Sequence, residues 1–120
     1  MWKSKLKVQY IHGTKNPKKY VLLEPLVWDN GDQEIAVPIG FKTDFASTPK
    51  WLHWLWKPQG KYSKASVIHD FMYSVNWYDR LYADMTYKKI MLFDKVNKFT
   101  ATAFYWGVRI FGKGRYYGTK

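Results

Sequence analysis

The chain contains no cysteine, which removes disulfide frameworks, thiolate zinc sites and thiol nucleophiles from consideration. Acid is scarce as well: nine Asp and Glu stand against twenty Lys and Arg, a formal charge of +11. Long apolar runs are missing. Met1-Trp2-Lys3-Ser4-Lys5 is basic but lacks the hydrophobic stretch of a signal peptide. The longest uncharged stretch near the other end, Phe99 to Val108, is about half a membrane span. The expectation is a protein soluble as made, with no signal peptide and no transmembrane segment. Internal repeats and low-complexity linkers are also absent, so 120 residues imply one domain with a single modest core.

What is abundant is aromatic. Seven Trp, ten Tyr and seven Phe supply packing in place of disulfides, each buried ring removing ~150 to 250 Å² from water. The excess of positive charge draws the protein toward something anionic, either nucleic acid or an acidic membrane or envelope lipid. Its clusters are local, at Lys3-Lys5-Lys7, Lys15-Lys18-Lys19 and Lys113-Arg115-Lys120, and no recognition helix stands out. Nucleic-acid binding is therefore expected only as a nonspecific electrostatic effect. A solvated basic surface that keeps an aromatic-rich chain soluble is the plainer alternative.

Periodicity predicts an α+β fold: β structure over 1–39, a connecting motif with a short helix over 40–62, helices over 63–112 and a tail over 113–120. Lys5 to His12 alternates apolar and polar residues, Tyr20 to Trp28 is rich in β-formers, and Asp29-Asn30-Gly31-Asp32 turns into Glu34 to Pro38. A three-stranded antiparallel meander follows from that pattern. Thr48-Pro49 opens a short Trp-rich helix ended by Pro58. A helical hairpin then runs from Ser63 to Val75 and from the cap Asp79 through Leu92. The last helix, about Lys98 to Phe111, is expected to bury Phe99, Ala103, Trp106 and Ile110 and to stop at Gly112.

The chemistry-bearing residues gather on the hairpin. His69 lies about six residues before its turn and Asp84 about five after the next cap, so at ~1.5 Å per residue the two are level on antiparallel helices. Tyr73, four residues beyond His69, shares its face, whereas Asp70 is turned by about 100°. Such a set suits a general base, His69, oriented by Asp84, with Asp70 placed to hold a cation or a backbone group. Asp84 also shares its face with Tyr87 and Met91, so a carboxylate points to the apolar side of its helix, where it needs a partner; Lys88, at i+4, is one candidate. The competing reading is a structural network that satisfies polar groups within an aromatic core.

Other residues enter as rivals. Ser47 as nucleophile, with His69 as base and Asp84 as orienter, would follow serine-hydrolase logic, and the Thr48-Pro49 helix start would offer N–H groups to an oxyanion. A cap is the simpler role for Ser47, and a turn cap for Asp44. Trp51, Trp54, Leu55 and Trp56, followed by Lys57 and Lys61, form a candidate membrane or nucleic-acid contact, or else pack on the sheet. His12 beside Gly13 reads as a turn residue, and His53 has no second ligand at metal spacing.

Five separated blocks carry a resemblance: Val37-Pro38-Ile39-Gly40-Phe41-Lys42-Thr43-Asp44-Phe45-Ala46-Ser47-Thr48-Pro49, Gly60-Lys61-Tyr62, Ala65-Ser66-Val67-Ile68-His69-Asp70-Phe71-Met72-Tyr73, Ala83-Asp84 and Tyr105-Trp106-Gly107-Val108-Arg109-Ile110-Phe111-Gly112. In this order they resemble the domain-of-unknown-function 1353 family, which occurs largely in tailed bacteriophages and prophages. The resemblance implies a phage product without an established activity, in the host cytoplasm or the virion, with virion components as possible partners. His-Asp-x-x-Tyr on one helix and Ala-Asp on the next is in addition similar to the core of phospholipases A2, notably the cysteine-free viral capsid type. That likeness implies His69 as base, Asp70 as a Ca²⁺ ligand with Asp44 nearby, Asp84 as orienter and Tyr73 as support. Where those enzymes carry a glycine-rich calcium loop, this chain has Gly40 to Ser47. A hydrolase acting on a lipid or cell-envelope ester is the leading expectation, and a noncatalytic virion, tail or host-interaction protein the second.

Overall fold

The computed structural model describes residues 1–10, 20–43, 63–75 and 77–112. By its contacts the chain divides into two compact units, Met1–Asp44 and Phe45–Lys120. Together they make an α+β protein.

The first unit is antiparallel throughout. Strand β1 (Val8–Tyr10) pairs with β2 (Tyr20–Leu22), which pairs on its other edge with β5 (Lys42–Thr43). Strands β3 (Leu26–Asp29) and β4 (Glu34–Val37) form a separate hairpin. The expected three-stranded meander is thus corrected to a three-stranded and a two-stranded sheet. Its cause is Pro25. The β-rich run from Tyr20 to Trp28 breaks at Leu23-Glu24-Pro25, because proline cannot donate to a ladder. Ser4 secures the break, its Oγ accepting from Val27 N at 2.8 Å and donating to Pro25 O at 3.0 Å.

The predicted turn is where the sequence places it. Gly31 adopts φ 94°, a left-handed value that costs glycine least, and its N–H donates to Asp29 Oδ1 at 2.9 Å. Alternation along β4 then sends Ile35 and Val37 inward, opposite Trp28 and Leu26. These four, with Leu22, form the buried core of the unit. The buried Trp28 indole donates to Asn30 Oδ1 at 2.9 Å and meets Trp2 edge-on with ring centres 4.9 Å apart. Gly40, at φ 86°, closes the turn into β5, so the segment read as a plain connection contributes a strand of its own.

In the second unit, α1 (Ser63–Ser74), α2 (Arg80–Phe93) and α3 (Lys98–Phe111) follow the predicted bounds within a residue or two. Asp79 occupies the N-cap position of α2, though its side chain makes no cap bond, while Asn97 caps α3 by accepting from Phe99 N at 2.8 Å. Every residue from Ala65 to Tyr73 is buried, so α1 is the interior helix of the unit. Helix α2 packs on both α1 and α3.

The face of α3 is the second correction. Its buried side is Thr100, Ala101, Phe104 and Val108, whereas Phe99, Trp106 and Ile110 are 74%, 56% and 65% exposed and Ala103 is half-buried. Phe104 and Val108, with Ala101, supply the apolar face that is buried, so the stripe of Phe99, Trp106 and Ile110 on the other side of the helix faces outward. Among the described residues no helix is long and apolar enough to cross a membrane. The Trp-rich helix expected near 48–58 and the tail from 113 lie outside them.

Candidate functional site: a buried carboxylate shared by three helices

The centre of the helical unit is Asp84. It sits on the inner face of α2 with Ala83, Tyr87 and Met91, and its side chain is 0% exposed. An ionised carboxylate accepts and does not donate, so every group around it must bring a proton. His69 Nε2 lies 2.6 Å from Asp84 Oδ1, and the Tyr73 hydroxyl donates to the same oxygen at 2.5 Å. The other oxygen, Oδ2, accepts from Arg109 Nη1 at 2.9 Å, with Arg80 Nη1 3.7 Å away. The hairpin geometry that made His69 and Asp84 level is present, and the i, i+4 spacing does bring Tyr73 to the same atom.

Electrostatics follow from these contacts. Burial alone would push the Asp84 carboxyl up, but the hydrogen bond and charge of His69, with the bonds from Tyr73 and Arg109, hold it below the ordinary value of 3.8. Asp84 is therefore ionised near neutral pH. His69 Nε2 must then carry the hydrogen of their bond, so that whenever the ring is neutral its lone pair lies on Nδ1. Burial, reinforced by the hydrogen bond to Asp84, raises the Tyr73 phenol well above 10.0 and keeps it a donor.

Packing fixes the ring. The imidazole lies between Tyr73, with centres 4.1 Å apart, and Tyr87, stacked at 4.6 Å. Tyr87 OH is 3.3 Å from Ser66 Oγ. His69 itself is 1% exposed.

Several participants escaped sequence reasoning. Lys88, expected at i+4 from Asp84, instead places its ammonium 5.4 Å from the centre of the Tyr105 ring. The charge is supplied by Arg80, at i−4 on the same helix, and by Arg109 from α3. Arg80 also donates to Val108 O at 3.1 Å and Arg109 O at 3.2 Å, tying the end of α3 to α2. Its i, i+4 spacing to Asp84 was the available signal. Gly112 has a role beyond ending a helix: a Cβ there would lie 2.6 Å from the Tyr73 hydroxyl oxygen.

Asp70 is buried on α1, and its carbonyl accepts from Ser74 Oγ at 2.7 Å. Calcium takes six to eight oxygens, and among the described residues no group of three or more His, Asp or Glu side chains is arranged to hold a metal. Asp44, Ser47, Trp54, Trp56, Lys57 and Lys61 lie outside the described residues, as do His12 and His53.

Fold and site together define a small α+β protein whose helical unit is built on a His–Asp–Tyr–Arg centre. The sequence profile of the DUF1353 family, described as proteins of unknown function, matches residues 20–108, and the chain belongs to that family. The match spans β2 to the last turn of α3 and includes His69, Tyr73 and Asp84. Comparison with curated proteins and with solved structures gives no match.

Proposed function

We propose that this is a phage- or prophage-encoded hydrolase in which His69 is the general base, acting on an ester of an anionic lipid or cell-envelope molecule. The observation that carries this reading is the 2.6 Å contact between His69 Nε2 and Asp84 Oδ1, which fixes the tautomer that bases require. In the reaction, His69 Nδ1 takes a proton from water as the oxygen attacks the ester carbonyl. Asp84 steadies the imidazolium, and the proton then passes to the departing alcohol. Asp84 is a positioning residue, and Tyr73 holds it in place. At 1% exposure His69 meets a substrate only after the residues covering it move. A calcium mechanism would lose activity to a chelator, and a Ser47 nucleophile would be titrated by an organophosphonate.

The burial of His69 and the two guanidiniums at Asp84 favour a second reading, a noncatalytic virion, tail or host-interaction protein in which this centre is structural. The exchange His69→Gln separates the two. Glutamine keeps an N–H donor for Asp84 but has no proton-accepting nitrogen. Hydrolysis of phosphatidylglycerol or of a fluorogenic ester by the wild type, lost by ~10²-fold or more in the variant at unchanged stability, supports the base. A wild type without esterase activity on either substrate sinks it.

A further inference from the structure

The outward face formed by α2 and α3 combines two features that no part of the His69 centre uses. On α3, Phe99, Trp106 and Ile110 recur at helical spacing and are each more than half exposed. On α2, Met85, Lys88, Lys89 and Leu92 line a groove of about 380 Å³ whose far wall is Tyr105 of α3. The two features adjoin at Tyr105 and Trp106, consecutive on α3, whose rings meet edge-on at 5.3 Å between centres. Outward apolar surface of this extent is costly in water unless something covers it.

Charge selects what that is. The cations Lys88 and Lys89 line the groove, with Lys95 in the following turn and Lys98 at the start of α3, against Asp94 as the acid of the same region. A second copy of the chain would set like charges against one another. Nucleic acid would satisfy the lysines but leave Met85, Leu92 and Ile110 against a phosphate backbone. An anionic lipid satisfies both, with its headgroup on the lysines and its chains on the apolar stripe.

We infer that the α2–α3 face is a docking surface for an anionic lipid layer, with Phe99, Trp106 and Ile110 inserting among the acyl chains and Lys88 and Lys89 engaging the headgroups. The inference names the surface for the substrate class of the hydrolase reading. Its test uses lipids that no esterase cleaves, so failure of one does not decide the other.

The experiment is flotation with vesicles of ether-linked phosphatidylglycerol and phosphatidylcholine, at low salt and at ~1 M salt, where the Debye length is about 3 Å. The wild type binds phosphatidylglycerol vesicles and keeps a salt-resistant fraction. Phe99→Ser, Trp106→Ser and Ile110→Ser together lower that fraction by at least ~10-fold per side chain. Lys88→Glu with Lys89→Glu weakens the low-salt binding and provides an independent reading if the triple variant loses its helical circular dichroism. Binding that vanishes at high salt, or that ignores both variants, overturns the inference. So does wild-type self-association abolished by the triple variant with vesicle binding unchanged, which would assign the face to a second copy.

Discussion

Replacing Asp84 by Asn removes one charge and turns one acceptor into a donor, with no change of size. The carboxylate is fully buried and accepts at both oxygens, from His69 and Tyr73 on one and Arg109 on the other. Turned toward Arg109, its NH₂ faces a group that can only donate; turned the other way, it requires His69 to change tautomer and the Tyr73 hydroxyl to accept. Arg109 meanwhile loses its counter-charge. Breaking a buried pair from one side costs roughly 3 to 5 kcal/mol, because the remaining partner stays charged or unsatisfied. Against a typical total of about 5 to 15 kcal/mol, that is a large share of the stability of a small domain. Urea denaturation followed by far-UV circular dichroism is the direct assay, with the midpoint falling and the slope unchanged.

The pH dependence supplies a second reading of the same number. Asp84 has a folded value below its ordinary 3.8, so its contribution is fully present above 3.8 and is lost as pH falls through the lower folded value. Asp84→Asn should therefore be destabilised at pH 7 and converge on the wild type in strong acid. A loss under ~1 kcal/mol at pH 7, the range of an exposed ion pair, would refute the claim that Asp84 holds the unit together.

Further outcomes concern the residues around it. Gly112→Ala forces a Cβ to within 2.6 Å of the Tyr73 hydroxyl oxygen, and as an overpacked site should cost about 1 to 3 kcal/mol and shift the near-UV signal of the tyrosine. An unchanged spectrum and melting temperature would contradict that contact. Tyr73→Phe removes a donor to Asp84 and costs roughly 1.5 to 3 kcal/mol. Because the folded phenol is raised above 10.0, the wild type loses stability as pH rises beyond that value, and the variant should show a shallower alkaline limb in chemical denaturation. In the β unit, Asn30→Ala strands the buried Trp28 N–H and should cost about 1 to 3 kcal/mol; a neutral result would mean that water replaces the amide.

Much of the site was legible because it is local. A 3.6-residue period, two caps and a short turn are enough to set His69, Tyr73 and Asp84 at one height, and their convergence on Oδ1 follows. What escaped depended on tertiary choice. For α3 the period of Phe99, Ala103, Trp106 and Ile110 points to one face as the core, yet the helix turns Ala101, Phe104 and Val108 inward. Both sides of the helix carry large apolar residues, and no amphipathic pattern says which of two such stripes meets a partner. Arg109 escaped for the same reason, since its meeting with Asp84 exists only once α3 is rotated this way. In the β unit the error was one of turn chemistry: Pro25 splits a run that β-propensity alone reads as continuous.

The composition of the centre bears on whether it is only structural. Replacing a buried ion pair with well-packed apolar residues is often neutral or stabilising, so a purely structural need in an aromatic-rich core has cheaper solutions than a carboxylate, an imidazole, a phenol and two guanidiniums. His69 does most to hold Asp84 ionised against burial, by its hydrogen bond and charge, ahead of the bonds from Tyr73 and Arg109. A glutamine in its place keeps the donor and roughly the volume, although the stack against Tyr87 is lost. If the centre serves packing, His69→Gln should lose stability, with no ester hydrolysis by either protein. If it serves chemistry, stability is retained and ester hydrolysis disappears, an outcome that no rearrangement of the network by itself would produce.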